Sequence, residues 1–341
     1  MILWQKASTL ASLNAITNPD TADNTMKNTL LKNLFISLFL LGVSLPALSA
    51  QAPYAFKKVA KNVWVMHGPL EQPNPDNKGF MNNPGVVKTS AGLVIIDPGS
   101  SLQTGEMVLA AAKKISNDAV VAVFDTHVHG DHWLGNQAIL EAYPNVKIYA
   151  HPEMIKEVNA GEGDHWVALM ETLTKGATKG TKVIAPNTAV KHGDVIKIGQ
   201  THFRIYHYGQ AHTKTDIMID VVEDKTVFLG DNVLADRIPR MSDGSFQGSI
   251  NACDKILEVN ASTWVPGHGP TGSSDIIKNY RHYLSLIYAA AKKAFDDDLD
   301  SSDVIAISRK TTTAYKGWAG YDDELGKHGA QAYEEIEAAE F

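Results

Sequence analysis

The stretch FDTHVHGDHWLG, residues 124–135, places three histidines and two aspartates in the nine positions from Asp125 to Trp133. In an extended segment residues i and i+2 face the same side, so His127 and His129 present two imidazoles to one point. Asp131 and His132, at the turn that follows, address a second point beside it. Neutral imidazole and carboxylate are donors that suit zinc, with iron and manganese as less favoured alternatives. The pattern reads as two adjacent metal sites, and two sites need more than four ligands. Three later residues qualify: His212 in YGQAHTKTD, Asp231 in FLGDNV and His268 in WVPGHGP. Each follows a strand-like run at a glycine-marked turn, where the backbone can pass close to a crowded site.

The elements that must carry these residues alternate along the chain. Lys61–His67, Gly85–Thr89 and Leu93–Asp97 are short β-branched runs broken by Gly and Pro, which predicts a meander of strands. A helix over Leu102–Ile115, a strand over Val120–Phe124, a helix over Gly135–Tyr143, a strand over Val146–Ala150 and a helix over Pro152–Thr174 follow. The cycle repeats with strands at Thr188–Ile198, Thr201–Tyr208, Ile217–Val222 and Thr226–Leu229, a helix at Phe246–Val259, a strand at Thr263–Val265 and a helix at Asp275–Phe295. Two blocks of strands followed by helices suggest two sheets face to face with helices outside, a four-layered α/β sandwich. The acidic run DDDLDSSD then reads as a linker to a C-terminal helical appendage, 296–341, with a helix at Gly329–Ala339.

At the other end, Met26–Ala50 has a lysine-bearing start, an apolar run from Leu34 to Val43 and a small-residue exit, the pattern of a cleaved secretory signal peptide. The run is nearer signal-core than bilayer-spanning length, so no stable membrane insertion is expected. Residues 1–25 carry no such features and read as upstream sequence. The fold is therefore expected in 51–295, and the location is expected to be the periplasm. A formal net charge of −7 argues against a nucleic acid partner. The single cysteine, Cys253, has no internal disulfide partner and lies at helical spacing with Ile250, Ile256 and Leu257, so it reads as a core residue.

The ordered set His127-x-His129-x-Asp131-His132, His212, Asp231, His268, together with LVIIDPG around Asp97, resembles the metallo-β-lactamase superfamily over roughly Phe56–Phe295. The resemblance implies an αββα sandwich with a dinuclear zinc site at one edge. His127, His129 and His212 would hold one metal, Asp131, His132 and His268 the other, and Asp231 would bridge them. Within that family an aspartate at the place of Asp231 is typical of glyoxalase II-like enzymes and lactonases.

Two such metals make a hydrolase of a small-molecule substrate the default. Asp131 is expected to orient the nucleophile and relay its proton, and Asp97 to hydrogen-bond a ligand histidine or the adjoining backbone. Arg237 and Arg240 in ADRIPRMSDG can meet a substrate carboxylate, Trp133 can wall the pocket, and Phe80 and Met81 can tip a flap in the loop EQPNPDNKGFMNN. His151 reads as structural. With export, the leading expectation is zinc-dependent hydrolysis of the β-lactam amide, conferring antibiotic resistance. The alternatives are another exported ester or lactone hydrolase, or an accessory protein of a periplasmic oxidation system. Protein recovered from the periplasm should begin close to Gln51. N-terminal sequencing of that fraction checks this, and a start there at Met1 or Met26 overturns it.

Overall fold

The computed structural model describes residues 54–340, so the expected upstream extension (1–25) and signal peptide (26–50) lie outside the described residues. Among the described residues no helix is long and apolar enough to cross a membrane. The strands in chain order are β1 (Lys57–Lys58), β2 (Val63–Val65), β3 (Gly85–Thr89), β4 (Gly92–Ile96), β5 (Val120–Phe124), β6 (Lys147–Ala150), β7 (Thr188–Ala189), β8 (Val195–Ile198), β9 (Thr201–Tyr206), β10 (Met218–Val221), β11 (Thr226–Phe228) and β12 (Thr263–Val265). The first seven form one sheet in sequence order, and the second sheet runs β12-β11-β10-β9-β8. Pairing is antiparallel from β1 to β4 and parallel from β4 to β7.

The period-2 alternation of strands explains the layers. In β4, Val94 and Ile96 enter the core between the sheets, where they meet Phe203, Ile205 and Ile219. Leu93 and Ile95 point the other way, against Val108 of α1 (Leu102–Ala112) and Ile139 of α3 (Asn136–Ala142). The whole of β4 is therefore buried, as a strand covered on both faces must be. Outside the second sheet, Val227 and Trp264 pack with α6 (Phe246–Ile256) and α7 (Asp275–Asp296). This is the mixed α/β, metallo-β-lactamase-type architecture expected from the sequence.

Three local expectations are corrected. The run Thr188–Ile198 is two strands in different sheets. Gly193, at φ +86, and Asp194, whose carboxylate accepts from Lys191 N at 2.8 Å, turn the chain between β7 and β8. The helix over 152–174 is interrupted: α4 (Pro152–Glu157) and α5 (Gly163–Leu173) flank a widened turn in which Gly161 takes φ +120. Only a residue without a Cβ adopts that conformation freely. The acidic run is mostly helix end and cap, because Asp296 and Asp297 pair with Lys292 and Lys293 on α7, and Asp300 caps α8 (Ser301–Thr311).

The last helix, α9, runs from Tyr321 to Glu340. Val304 of α8 and Leu325, Ala332 and Ile336 of α9 are buried in one cluster with Tyr280, Tyr283 and Leu284 of α7. A fully buried aliphatic side chain stabilises by roughly 1.5–3 kcal/mol, whereas an exposed pair such as Lys327–Glu324 contributes about 1 kcal/mol or less. Apolar burial, not the charged surface, therefore holds α9 in place.

His328 of α9 is buried, donates from Nε2 to Pro239 O at 2.8 Å and accepts at Nδ1 from the Tyr283 hydroxyl at 2.9 Å. Burial pushes its pKa down to about 4. The folded value lies below the unfolded one near 6.5, so the unfolded chain binds the proton first. The stabilisation is complete above about pH 6.5 and is lost as pH falls towards about 4. Urea denaturation at pH 7 and pH 5 should show His328→Gln losing about 2 kcal/mol less than wild type between the two.

Candidate metal centre

The site sits at the ends of strands from both sheets. After β5 the chain bends at His127 and Val128, and His129 caps a single helical turn, α2 (Gly130–Trp133), that turns Asp131 and His132 back towards the same point. The turn is possible because position 130 is glycine: a Cβ there would lie 2.7 Å from Cβ of Trp166. His212 lies between β9 and β10, Asp231 follows β11 and His268 follows β12. Gly267 is needed beside them, since a Cβ would fall 1.9 Å from Asp231 Oδ1. All seven residues of the expected ligand set are brought together, and all are buried.

Hydrogen bonds from behind fix which ring nitrogen faces the centre in His127, His129, His132 and His268, whereas His212 Nδ1 is buried without a partner among the described residues. Asp97 ends β4 with φ +51, and its Oδ1 accepts from Thr126 N at 2.8 Å. Its Oδ2 accepts from the Thr126 hydroxyl and from His132 Nδ1, both at 2.8 Å. With its proton given to Asp97, Thr126 Oγ1 accepts from His127 Nδ1 at 3.0 Å. Met81 O takes the Nδ1 proton of His268 at 2.7 Å, and Asp243 Oδ2 takes the Nε2 proton of His129 at 3.1 Å. The lone pairs of His127 Nε2, His129 Nδ1, His132 Nε2 and His268 Nε2 are left pointing inward.

Those nitrogens have nothing to accept from except each other. His127 Nε2 is buried with no hydrogen-bond partner among the described residues. His132 Nε2 and His268 Nε2 are 3.3 Å apart, and His129 Nδ1 and His212 Nε2 are 3.0 Å apart. Zinc–nitrogen bonds of 2.0–2.1 Å in a tetrahedron put ligand atoms about 3.3 Å apart. The donor set thus fits divalent cations. The ligand atoms group as His127, His129 and His212, as Asp131, His132 and His268, and as His127, His132 and Asp231. Asp231 lies between them, with Oδ1 3.2 Å from His132 Nε2 and Oδ2 3.4 Å from His268 and 3.5 Å from His212.

The charges agree with this. Burial alone pushes the Asp131 and Asp231 carboxyls up, but the imidazoles of His132 and His268 outweigh it and hold both below the ordinary carboxylate range. Burial drives His127 well down and His212 down to about 3, so these rings are neutral donors. Against the effect of burial, the same carboxylates raise the pKa of His132 well above and that of His268 above the ordinary imidazole value, so the buried negative charge of Asp131 and Asp231 calls for protons on these rings or for a cation in their place.

The centre forms the floor of a cavity of about 810 Å³. Trp166, Leu169, Met170 and Leu173 of α5 make one wall, and Arg237, Arg240, Met241 and residues of α9 make the other. Arg237 is only 7% exposed, donates from Nη1 to Leu70 O at 2.7 Å and has no carboxylate in ion-pair range among the described residues. Arg240 lines the mouth and donates from Nε to Ser242 Oγ at 3.0 Å.

Two expected contacts are corrected. Trp133 is fully buried beneath α2, with its indole donating to Val128 O at 2.8 Å, and Trp166 is the tryptophan at the cavity. Phe80 is not at a flap tip but packed edge-on against Tyr54 at 4.8 Å, with Asn77 and Asn74 tying the loop down, and Gln72, Pro73 and Met81 are the loop residues that reach the cavity. Asp125, prominent in the sequence cluster, faces away and accepts from Asn136. His151 caps α4 and stacks on His207. Thr126, Trp166 and Asp243 escaped sequence reasoning. Thr126 alone had a signal, its place directly before the first ligand.

A family model described as the metallo-beta-lactamase superfamily matches residues 77–268. A curated protein named hydroxyacylglutathione hydrolase from Gloeothece citriformis is 27% identical over 177 residues, 50% of this chain and 57% of that protein. A protein of the same name from Gloeobacter violaceus is 24% identical over 190 residues, 56% of this chain and 62% of that one. The chain thus spans less than two thirds of the length of these relatives. Among solved structures, a metallo-beta-lactamase from Pontibacter korlensis matches with TM-score 0.54 and 18% identity, covering 68% of this chain and 99% of its own. The stereoselective inverting sec-alkylsulfatase Pisa1 from Pseudomonas sp. matches with TM-score 0.63 and 16% identity, covering 82% of this chain and 50% of its own. These two likenesses concern the fold.

Metal analysis of reconstituted protein should give about two equivalents of a divalent metal per chain, and chelator should lower the melting temperature, because binding to the folded state alone stabilises it. Asp97→Ala should weaken zinc binding about 10–100-fold by releasing His132 and Thr126 together. Titration against a competing chelator measures that, and unchanged affinity would remove Asp97 from the centre.

Proposed function

The chain belongs to the metallo-beta-lactamase superfamily, and on that premise we propose that it is a metal-dependent hydrolase of a small-molecule acyl ester or thioester. The observation that carries the reading is Asp231, a carboxylate whose two oxygens divide between His132 on one side and His212 and His268 on the other. The similarity to proteins named hydroxyacylglutathione hydrolase supports acyl-ester chemistry ahead of the β-lactam amide expected first from sequence.

Divalent cations held by His127, His129 and His212 and by Asp131, His132 and His268, zinc before iron or manganese, would supply polarisation of a substrate carbonyl and a water with its pKa lowered to about 7. The protein's own residues do the rest. Asp131 Oδ2, 3.2 Å from His268 Nε2, is the carboxylate placed to orient the attacking water and hold its proton. His132 is kept in one orientation by Asp97, and His127 by Thr126. The wall of Trp166, Leu169 and Met170 receives the apolar part of the acyl group and keeps bulk water off the carbonyl. Arg237, buried with N–H groups to spare, meets an anionic group on the substrate. The signal-peptide pattern of Met26–Ala50 supports a periplasmic setting.

One panel tests the proposal. Metal-loaded protein is assayed against an S-acyl thioester, an aryl ester, an acyl lactone and representative penicillins, cephalosporins and carbapenems. Metal-dependent, saturable turnover of the ester or thioester is expected, with kcat falling about 100-fold or more in Asp131→Asn at unchanged metal content. Turnover of lactams alone replaces the reading with a β-lactamase. Turnover of none, by protein of verified metal content, replaces it with the accessory role.

A further inference from the structure

We propose that Asp243 is a positioning residue for the His129 imidazole, and that the C-terminal helix α9 holds the loop that carries it. The affinity of the His127–His129–His212 site is then set partly by residues far outside the ligand set. The proposal rests on the metal-centre reading and is independent of the substrate.

His129 is unlike the other histidines of the centre. His127, His132 and His268 are oriented by groups inside the fold: Thr126, Asp97 and the Met81 carbonyl. The Nε2 proton of His129 goes instead to Asp243 Oδ2, on the loop between Arg240 and Phe246, and the Asp243 side chain is 56% exposed. An exposed contact of this kind contributes little when its loop is free, because ordering the partners offsets most of the gain. It orients the ring only when the loop is already fixed.

The loop is fixed from both sides. On one side His328, Gln331 and Glu335 of α9, at i, i+3 and i+7 spacing, present one helical face to it. His328 Nε2 donates to Pro239 O at 2.8 Å. Gln331 Nε2 donates to Met241 O and, at 3.3 Å, to Gly244 O, so one amide grips both flanks of Asp243. The Glu335 carboxylate accepts from Phe246 N at 2.7 Å, Gln247 N at 3.0 Å and Ser245 Oγ at 2.8 Å. On the other side the loop meets the segment that bears His212. Ser245 N donates to Ala211 O at 2.8 Å and Gln210 Nε2 to Asp243 O at 2.9 Å. A Cβ on Gly244 would lie 2.7 Å from Ala211 O, so loop and ligand segment are in direct backbone contact. The chain of contacts thus runs from α9 through the loop to His129, and the backbone beside His212 serves as the loop's second support.

Zinc titration of the full chain against a competing chelator tests this, with melting of the metal-free protein followed in parallel. Asp243→Ala should weaken one of two binding steps about 10–100-fold. Asp243→Asn should recover most of the loss, since its amide oxygen still accepts from Nε2. Gln331→Ala should give a smaller loss at the same step, and the double variant Asp243→Ala/Gln331→Ala should bind no more weakly than Asp243→Ala, because both act through one contact. A purely structural helix would shift the melting temperature of Gln331→Ala and leave zinc affinity alone. That result, or losses that add in the double variant, overturns the proposal. Wild-type protein that takes up no zinc overturns it together with the metal-centre reading.

Discussion

One buried carboxylate organises the centre. Asp97 accepts three hydrogen bonds, from Thr126 N, the Thr126 hydroxyl and His132 Nδ1. Hydrogen bonds to a charged group contribute about 1.5–3 kcal/mol each, and losing them leaves buried donors unpaired. That gain exceeds the cost, of order 1–3 kcal/mol, of holding a residue with a side chain in the left-handed region at φ +51. Through these bonds one residue decides the tautomer of His132 directly and of His127 through Thr126. It therefore determines which nitrogens face inward.

Asp97 can do this only because β4 and β5 are parallel neighbours that end level, Ile96 beside Phe124. The same edge receives the ends of β11 and β12, again parallel, with Phe228 beside Val265, and so Asp231 and His268 arrive together. The core between the sheets, with Phe124 stacked on Tyr149 and Phe203, fixes how the two halves of the ligand set face each other. Interiors this densely packed do not slide, which is what a centre assembled from two sheets requires.

The sandwich and the convergence of the seven side chains were legible in the sequence, from strand patterning, from the cluster at 127–132 and from single donors placed just after strands. Alternating apolar residues mark strands, i and i+2 spacing marks a shared donor point, and the acid and histidine at the following turn mark a second point beside it. Asp97 was legible too, as an acid closing an apolar strand. What could not be read depends on direction. Trp133 and Trp166 are equally plausible walls as letters, but the single turn of α2 sends Trp133 inward, and the break at Gly161 carries α5 to the cavity. Phe80 looked like a flap tip because nothing local shows that asparagine side chains fold its loop inward. Asp243 sits in Ser-Asp-Gly, ordinary turn chemistry, and its partner is 114 residues away. The helices after Phe295 have polar faces that hide apolar positions matched only by α7.

That division between legible and illegible parts follows from how such a site works. The floor needs fixed residue types at fixed strand ends, so it leaves a pattern in sequence. The walls need only shape and charge, and here they come from α5, the loop through Arg237 and Met241, and α9. Glu324 of α9 is paired with Lys327, and Arg237 remains without a carboxylate in ion-pair range among the described residues. Under the proposed function, with cations balancing Asp131 and Asp231 at the floor, the Arg237 guanidinium would favour an anionic group on that side, while the α5 wall offers apolar contact. In the proposed hydrolase, substrates would be selected by the distance between Arg237 and the apolar face of α5. α9 lines the same wall and also braces the loop that carries Asp243, so in the proposed enzyme one element would bear on both the substrate pocket and the metal site.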